Sequence, residues 1–134
     1  MQLLLKIVGV LVGLFVLLNV VIFTASESGE VVVVTTQADG ETHDSRLWVV
    51  DLEGDQWLRS GSDAALWYQR MLKEPQVQVT RDGATFSATV VPDVSRRDAV
   101  NKLMNEKYGM ADDLIAMLFG REDAIPLKLD TGAL

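Results

Sequence analysis

The hydrophobic pattern changes character near Glu30. Before it lies one apolar run; after it come short alternating segments punctuated by turns. Ile7 to Phe23 reads IVGVLVGLFVLLNVVIF, 17 residues with no charge and one amide, Asn19. Adding Leu3–Leu5 and Thr24 gives about 22 residues, against the roughly 20 that a helix needs to cross a bilayer core. A single span must be helical, because lipid offers backbone groups no partner. Lys6 can snorkel toward the head groups. A cleaved signal peptide is the competing reading, but its apolar region would be about 7–15 residues long. Cleavage after Ser26 would also put Thr24 where a smaller residue is favoured. Lys6 and the amino terminus precede the run, and the next basic residue is Arg46. The positive-inside rule then puts the N-terminus in the cytoplasm and the domain outside. The expected organisation is an anchor over 1–25, a polar linker over 26–30 and one domain over 31–134.

The domain pattern is mostly β. Val31–Thr36 is a continuous β-branched stretch, as in a strand buried on both faces. Gln37–Ser45 reads as a polar loop turning at Asp39-Gly40. Arg46–Leu52 and Gln56–Ser60 read as a hairpin about Glu53-Gly54-Asp55. Ser62 is placed to cap a helix over Asp63–Lys73, which Pro75 stops. Gln76–Thr80 and Thr85–Val91 alternate as a half-solvated hairpin, with Phe86, Ala88 and Val90 inward. Ser95 to Asp98 has capping-box spacing, and Val100, Leu103, Met104 and Tyr108 follow at helical intervals before Gly109. A second helix over Ala111–Phe119 is richer in apolar residues, read as plain core with a dimerising surface as the alternative. Asp123–Leu129 is a last strand, with Pro126 marking an edge position. The predicted class is α+β: a six-stranded antiparallel barrel with packed helices.

Composition narrows the chemistry. There is no Cys, so disulfides and thiolate metal sites are excluded, and the one His, His43, cannot build a metal cluster alone. After Glu30 the chain has 11 basic and 17 acidic residues, a net of −6. That balance argues against nucleic acid as a partner and against adhesion to anionic lipid.

Several stretches resemble the FMN-binding split-barrel superfamily, and within it the nitroreductase-like, deazaflavin-dependent oxidoreductases. They are VVVVTTQ, RLWVVDLEGDQWLRSG, ALWYQRMLKEPQVQV and RDGATFSATVVPD, supported by Asn101–Met104, Lys107-Tyr108-Gly109 and Ile125-Pro126-Leu127. The resemblance covers about 31–130. It implies a split barrel, a homodimer and an FMN or deazaflavin cofactor in a groove between subunits. The family pattern has a Gly-Arg-Lys-Ser-Gly type loop after the Thr-Thr strand; here that stretch is Gln37–Asp44, with acids in place of bases. Carboxylates there repel a phosphorylated tail, which moves weight from deazaflavin toward FMN or no cofactor.

Phosphate would be held by Arg46, Arg59 and the Ser60-Gly61-Ser62 bend leading into a helix start. Trp48 could stack on a flavin ring, Trp67 lies on the adjoining helix, and Arg70 could reach a phosphate. The plain alternatives are ion pairing for the arginines and core packing for the tryptophans. Tyr68 and Tyr108 are read as structural phenols, with a proton-donor role as the alternative. The resulting function is a membrane-tethered flavin- or deazaflavin-dependent oxidoreductase acting on a quinone-like or nitroaromatic acceptor. The alternative is a non-catalytic split-barrel module for flavin, haem or a small ligand.

Overall fold

The computed structural model describes residues 1–26 and 29–132. Glu27 and Ser28 of the expected linker, and Ala133 and Leu134 of the expected domain, lie outside the described residues. Helix α1 runs Gln2–Ser26 and is long and apolar enough to cross a membrane. Two of its polar side chains bond within the helix: Asn19 donates to the Phe15 carbonyl and Thr24 to that of Val20, both at 2.8 Å.

Among the described residues, seven strands form one antiparallel sheet: β1 Val31–Ala38, β2 Glu41–Trp48, β3 Val50–Leu52, β4 Asp55–Ser60, β5 Gln76–Arg81, β6 Ala84–Pro92 and β7 Ile125–Asp130. Their order is β2-β1-β5-β6-β7-β4-β3. The sheet curls until β2 approaches β4, giving a half-barrel. Helix α2, Leu66–Lys73, plugs it by burying Tyr68 and Met71 among Val32, Val34, Leu58, Val79, Leu127 and Leu129. Helices α3, Arg97–Tyr108, and α4, Met110–Phe119, are separated by Gly109 at φ 55°. Val100, Met104 and Tyr108 of α3 pack on Val50 and Trp57, forming a second core outside the barrel.

The fold class is as expected, with one strand more. The added strand, Glu41–Trp48, joins the end of Gln37–Ser45, expected as a loop, to Arg46–Trp48, and the expected Arg46–Leu52 strand breaks at Val49. Asp39 and Gly40 turn with positive φ, and Glu41–Trp48 returns along β1 from Ala38↔Glu41 to Val31↔Trp48. Polar cross-strand pairs support it: Thr35 donates to Asp44 at 2.6 Å and Gln37 to Thr42 at 2.8 Å. Strand β1 is not equally buried on both faces; Val32, Val34, Thr36 and Ala38 point inward and their neighbours are half-buried or exposed.

The helix starts also differ. Ser62 makes a turn, accepting from the Ala64 amide at 3.2 Å, and Ala65 is the N-cap of α2. Asp93, not Ser95, caps a short 3-10 turn, accepting from the Ser95 amide at 3.1 Å. Strand β7 is interior, yet Pro126 lies beyond Pro92↔Leu127, where β6 pairing has ended, so its missing N–H interrupts nothing on that side. Its carbonyl accepts from the Asp93 amide at 3.0 Å.

Candidate functional site

Where β2 and β4 approach each other, α4 lies across the gap and encloses a cavity of about 310 Å³. Ligand pockets run from about 300 to 1,000 Å³, so this one suits a compact ring system. Strand β2 contributes Arg46, Leu47 and Trp48; β4 and the bend after it contribute Arg59 and Gly61; α2 contributes Trp67. Helix α4 supplies Asp112, Ile115, Ala116 and Phe119, one helical face by spacing. Gly120, Arg121 and Ala124 close the far side.

Asp112 organises the floor. Its side chain is fully buried and accepts from Arg59 Nη2 at 2.5 Å, Arg121 Nη2 at 2.8 Å, Arg121 Nε at 3.2 Å and Asn105 Nδ2 at 3.2 Å. Burial pushes its carboxyl up, but the hydrogen bond and charge of Arg59, with Asn105 and Arg121, outweigh that and hold it below the usual carboxylate range. Arg59 also donates to Asn101 Oδ1 at 3.2 Å and lies 6.0 Å from the centre of the Trp48 ring. Three guanidinium groups and one carboxylate line the cavity, and Asp113 beside it also pairs with Arg121 at 3.2 Å. That donor set fits an anionic group.

Trp48 is held from behind. Its ring stacks on Tyr108 at 4.2 Å with planes 6° apart. The Tyr108 hydroxyl donates to the Glu30 carbonyl at 2.5 Å and accepts from the Val49 amide at 3.0 Å. Glu30 receives Arg81 Nη2 at 3.0 Å and Lys107 Nζ at 2.6 Å. Those hydrogen bonds, Arg81 first, bring its carboxyl down to about 2. A continuous set of contacts thus runs from the chain leaving α1 to the aromatic wall of the cavity.

Of the residues singled out from sequence, Arg46, Trp48, Arg59, Gly61 and Trp67 line this one cavity. Ser60, Ser62 and Arg70 are not among its lining residues. Ser60 is buried and donates to the Ser62 carbonyl at 2.6 Å, so the bend satisfies itself rather than presenting hydroxyls outward. Tyr68 is buried in the barrel core and Tyr108 is tied to backbone, the structural reading of both phenols. Asp112, Arg121, Asn105 and the α4 wall were missed. The signal for Asp112 was its place on the face shared by Ile115, Ala116 and Phe119, where a charge needs a partner.

No protein-family model matches the sequence, and no curated protein does. Solved structures do match the fold. A conserved hypothetical protein, Rv2991 of Mycobacterium tuberculosis, superposes with TM-score 0.60 at 14% identity, over 86% of this chain and 79% of that one. An F420-H2 dependent reductase, FDR-A, gives 0.58 at 19% identity over 73% and 92%. HutZ, the haem storage protein of Vibrio cholerae, gives 0.58 at 17% identity over 82% and 87%. At these identities the shared property is architecture. The chain has the split-barrel fold of the pyridoxamine-oxidase-like and F420-dependent reductase proteins, the fold that its sequence resemblance implies.

Proposed function

We propose that this chain is a flavin- or deazaflavin-dependent oxidoreductase, anchored by α1 to a membrane and built as one domain over 31–134. The observation that carries this reading is the β2–β4–α4 cavity, with three guanidinium groups and two tryptophans on its wall. Arg46, Arg59 and Arg121 would hold the anionic part of the cofactor. Trp48 and Trp67 would flank its planar ring. Ile115 and Phe119 would keep water from the reacting face. The cofactor, when bound, supplies hydride or electrons to a quinone-like or nitroaromatic acceptor. The Ser60–Ser62 bend and Arg70 remain candidates for the cofactor tail, outside the cavity proper. A homodimer that completes the groove is part of this proposal, as is a domain lying outside the cytoplasm.

The cavity, about 310 Å³ within one chain, suits the planar ring system that FMN and deazaflavin share. The test is turnover by the full-length protein in detergent, given reduced FMN or reduced deazaflavin and a soluble quinone or nitroaromatic. Acceptor-dependent oxidation above the protein-free rate is expected. Its absence with both cofactors would rule out the enzyme.

The second reading is a split-barrel binding module without turnover, for flavin, haem or a small ligand. Haem suits the cavity less well than flavin. Haem iron is held by His, Cys, Met or Tyr, and none of these lines the cavity among the described residues.

A further inference from the structure

Helix α4 is apolar on two opposite faces. Asp112, Ile115, Ala116 and Phe119 turn toward the cavity. Met110, Leu114, Met117 and Leu118, at spacings of four, seven and eight residues, form a stripe on the other side. Most of that stripe is open: Met110 is 85% exposed, Met117 76% and Leu118 39%, with Phe119 at its edge 66% exposed, while Leu114 is half-buried. A helix apolar nearly all round is expected inside a core or in lipid, and the outer side of α4 has no core.

The position of α4 says what covers it. Helix α4 contacts α1, and among the described residues of α1 burial is confined to the last turn, where Ile22 is half-buried and Ala25 buried. Four Cα steps separate Ser26 from Glu30, a reach of roughly 14 Å at full extension. Glu30 is fixed to the domain by Arg81, Lys107 and Tyr108. The domain is therefore held within about 14 Å of the surface that α1 enters. The net charge of the domain is negative, so attraction to anionic lipid does not supply the contact; apolar burial must.

We infer that the outer face of α4 (Met110, Leu114, Met117 and Leu118) rests in the apolar boundary of the bilayer that α1 crosses, so the cavity behind it opens at the membrane surface. This rests on α1 being an uncleaved span, and not on the cofactor. The absence of Cys allows single-site labelling. Met117→Cys and, as control, Asp82→Cys at the exposed β5–β6 turn are labelled with an environment-sensitive fluorophore. The full-length chain is then reconstituted in neutral phosphatidylcholine vesicles, with and without brominated acyl chains.

The inference predicts blue-shifted emission at position 117 that brominated lipid quenches several-fold more than emission at position 82, unchanged on tenfold dilution of protein in lipid. A blue shift without lipid quenching would mean that a second copy or another protein surface covers the helix, and would overturn the inference. Emission as in water would overturn it too. Met110→Cys gives an independent site should Met117→Cys fold poorly. Cofactor uptake by the same samples, read from flavin absorbance, reports separately on the proposed function.

Discussion

Replacing Asp112 with Ala tests the electrostatics of the cavity floor. The carboxylate is fully buried and holds Arg59, whose side chain is only 10% exposed. Removing it leaves Arg59 with Asn101 at 3.2 Å and the face of Trp48. Breaking a buried pair on one side costs about 3–5 kcal/mol, because the remaining charge is desolvated without compensation. Asn101 retains part of that interaction, and Arg121, 34% exposed, can turn to water. The lower end, about 3 kcal/mol, is therefore expected. With a urea slope of about 1–3 kcal/mol per molar, the midpoint falls by about 1–3 M. The assay is urea unfolding of the full-length chain in detergent, followed by tryptophan fluorescence. Asp113→Ala is the control; that carboxylate is 64% exposed, and its pair with Arg121 is worth about 1 kcal/mol or less. A loss for Asp112→Ala below about 1 kcal/mol, or no greater than for Asp113→Ala, would refute the reasoning.

Other outcomes follow from the contacts near the anchor. Glu30 titrates near 2 in the folded protein against 4.5 when unperturbed, so its contribution is complete above about pH 4.5 and is lost as the pH falls toward 2. With the side chain about a third exposed, screening reduces this to about 1 kcal/mol. Glu30→Gln should therefore lose less stability than the native chain between pH 5 and pH 3; equal losses in urea titrations at the two pH values would contradict the pairing. Tyr108→Phe keeps the ring under Trp48 but removes the hydroxyl from the Val49 amide and the Glu30 carbonyl, costing about 1–3 kcal/mol. Thermal unfolding would show a lower midpoint with near-native tryptophan circular dichroism, and an unchanged midpoint would count against the contact. Gly29 has φ 72°, and a Cβ there would sit 3.0 Å from the Tyr108 ring. Gly29→Ala should cost about 1–2 kcal/mol in backbone strain alone and disturb the Trp48 signal that Tyr108→Phe spares.

The parts legible in the sequence are those where one local rule dominates. The apolar run becomes α1, Asp82-Gly83 turns β5 into β6, and Val77, Val79, Ala88 and Val90 fill the barrel as alternation requires. Strand β2 was hidden because it is an edge strand. Its residues ETHDSR are polar, and its extended shape comes from pairing with β1 rather than from any pattern of its own. The α4 region misled in the other direction. LIAMLF reads as core, yet Met117, Leu118 and Phe119 are exposed. Periodicity reports that a helix has an apolar face, not what lies against it.

The site was half legible for a related reason. Arg46, Trp48, Arg59 and Trp67 stand out as cations and aromatics beside one hairpin. The Asp112 pairing joins residues 53 positions apart, and no spacing rule announces it. An Asp in the first turn of a helix suits the helix dipole whatever else it touches, so its place there does not announce a partner.

The most direct test of the central claim is equilibrium titration of the full-length chain with FMN, and in parallel with deazaflavin, followed by quenching of tryptophan emission. Trp48 and Trp67 lie on the cavity wall. Saturable quenching is predicted, together with weaker uptake in Arg59→Ala and in Arg121→Ala. Flat titrations with both compounds, or full uptake in both arginine variants, would contradict a cationic flavin site between β2, β4 and α4.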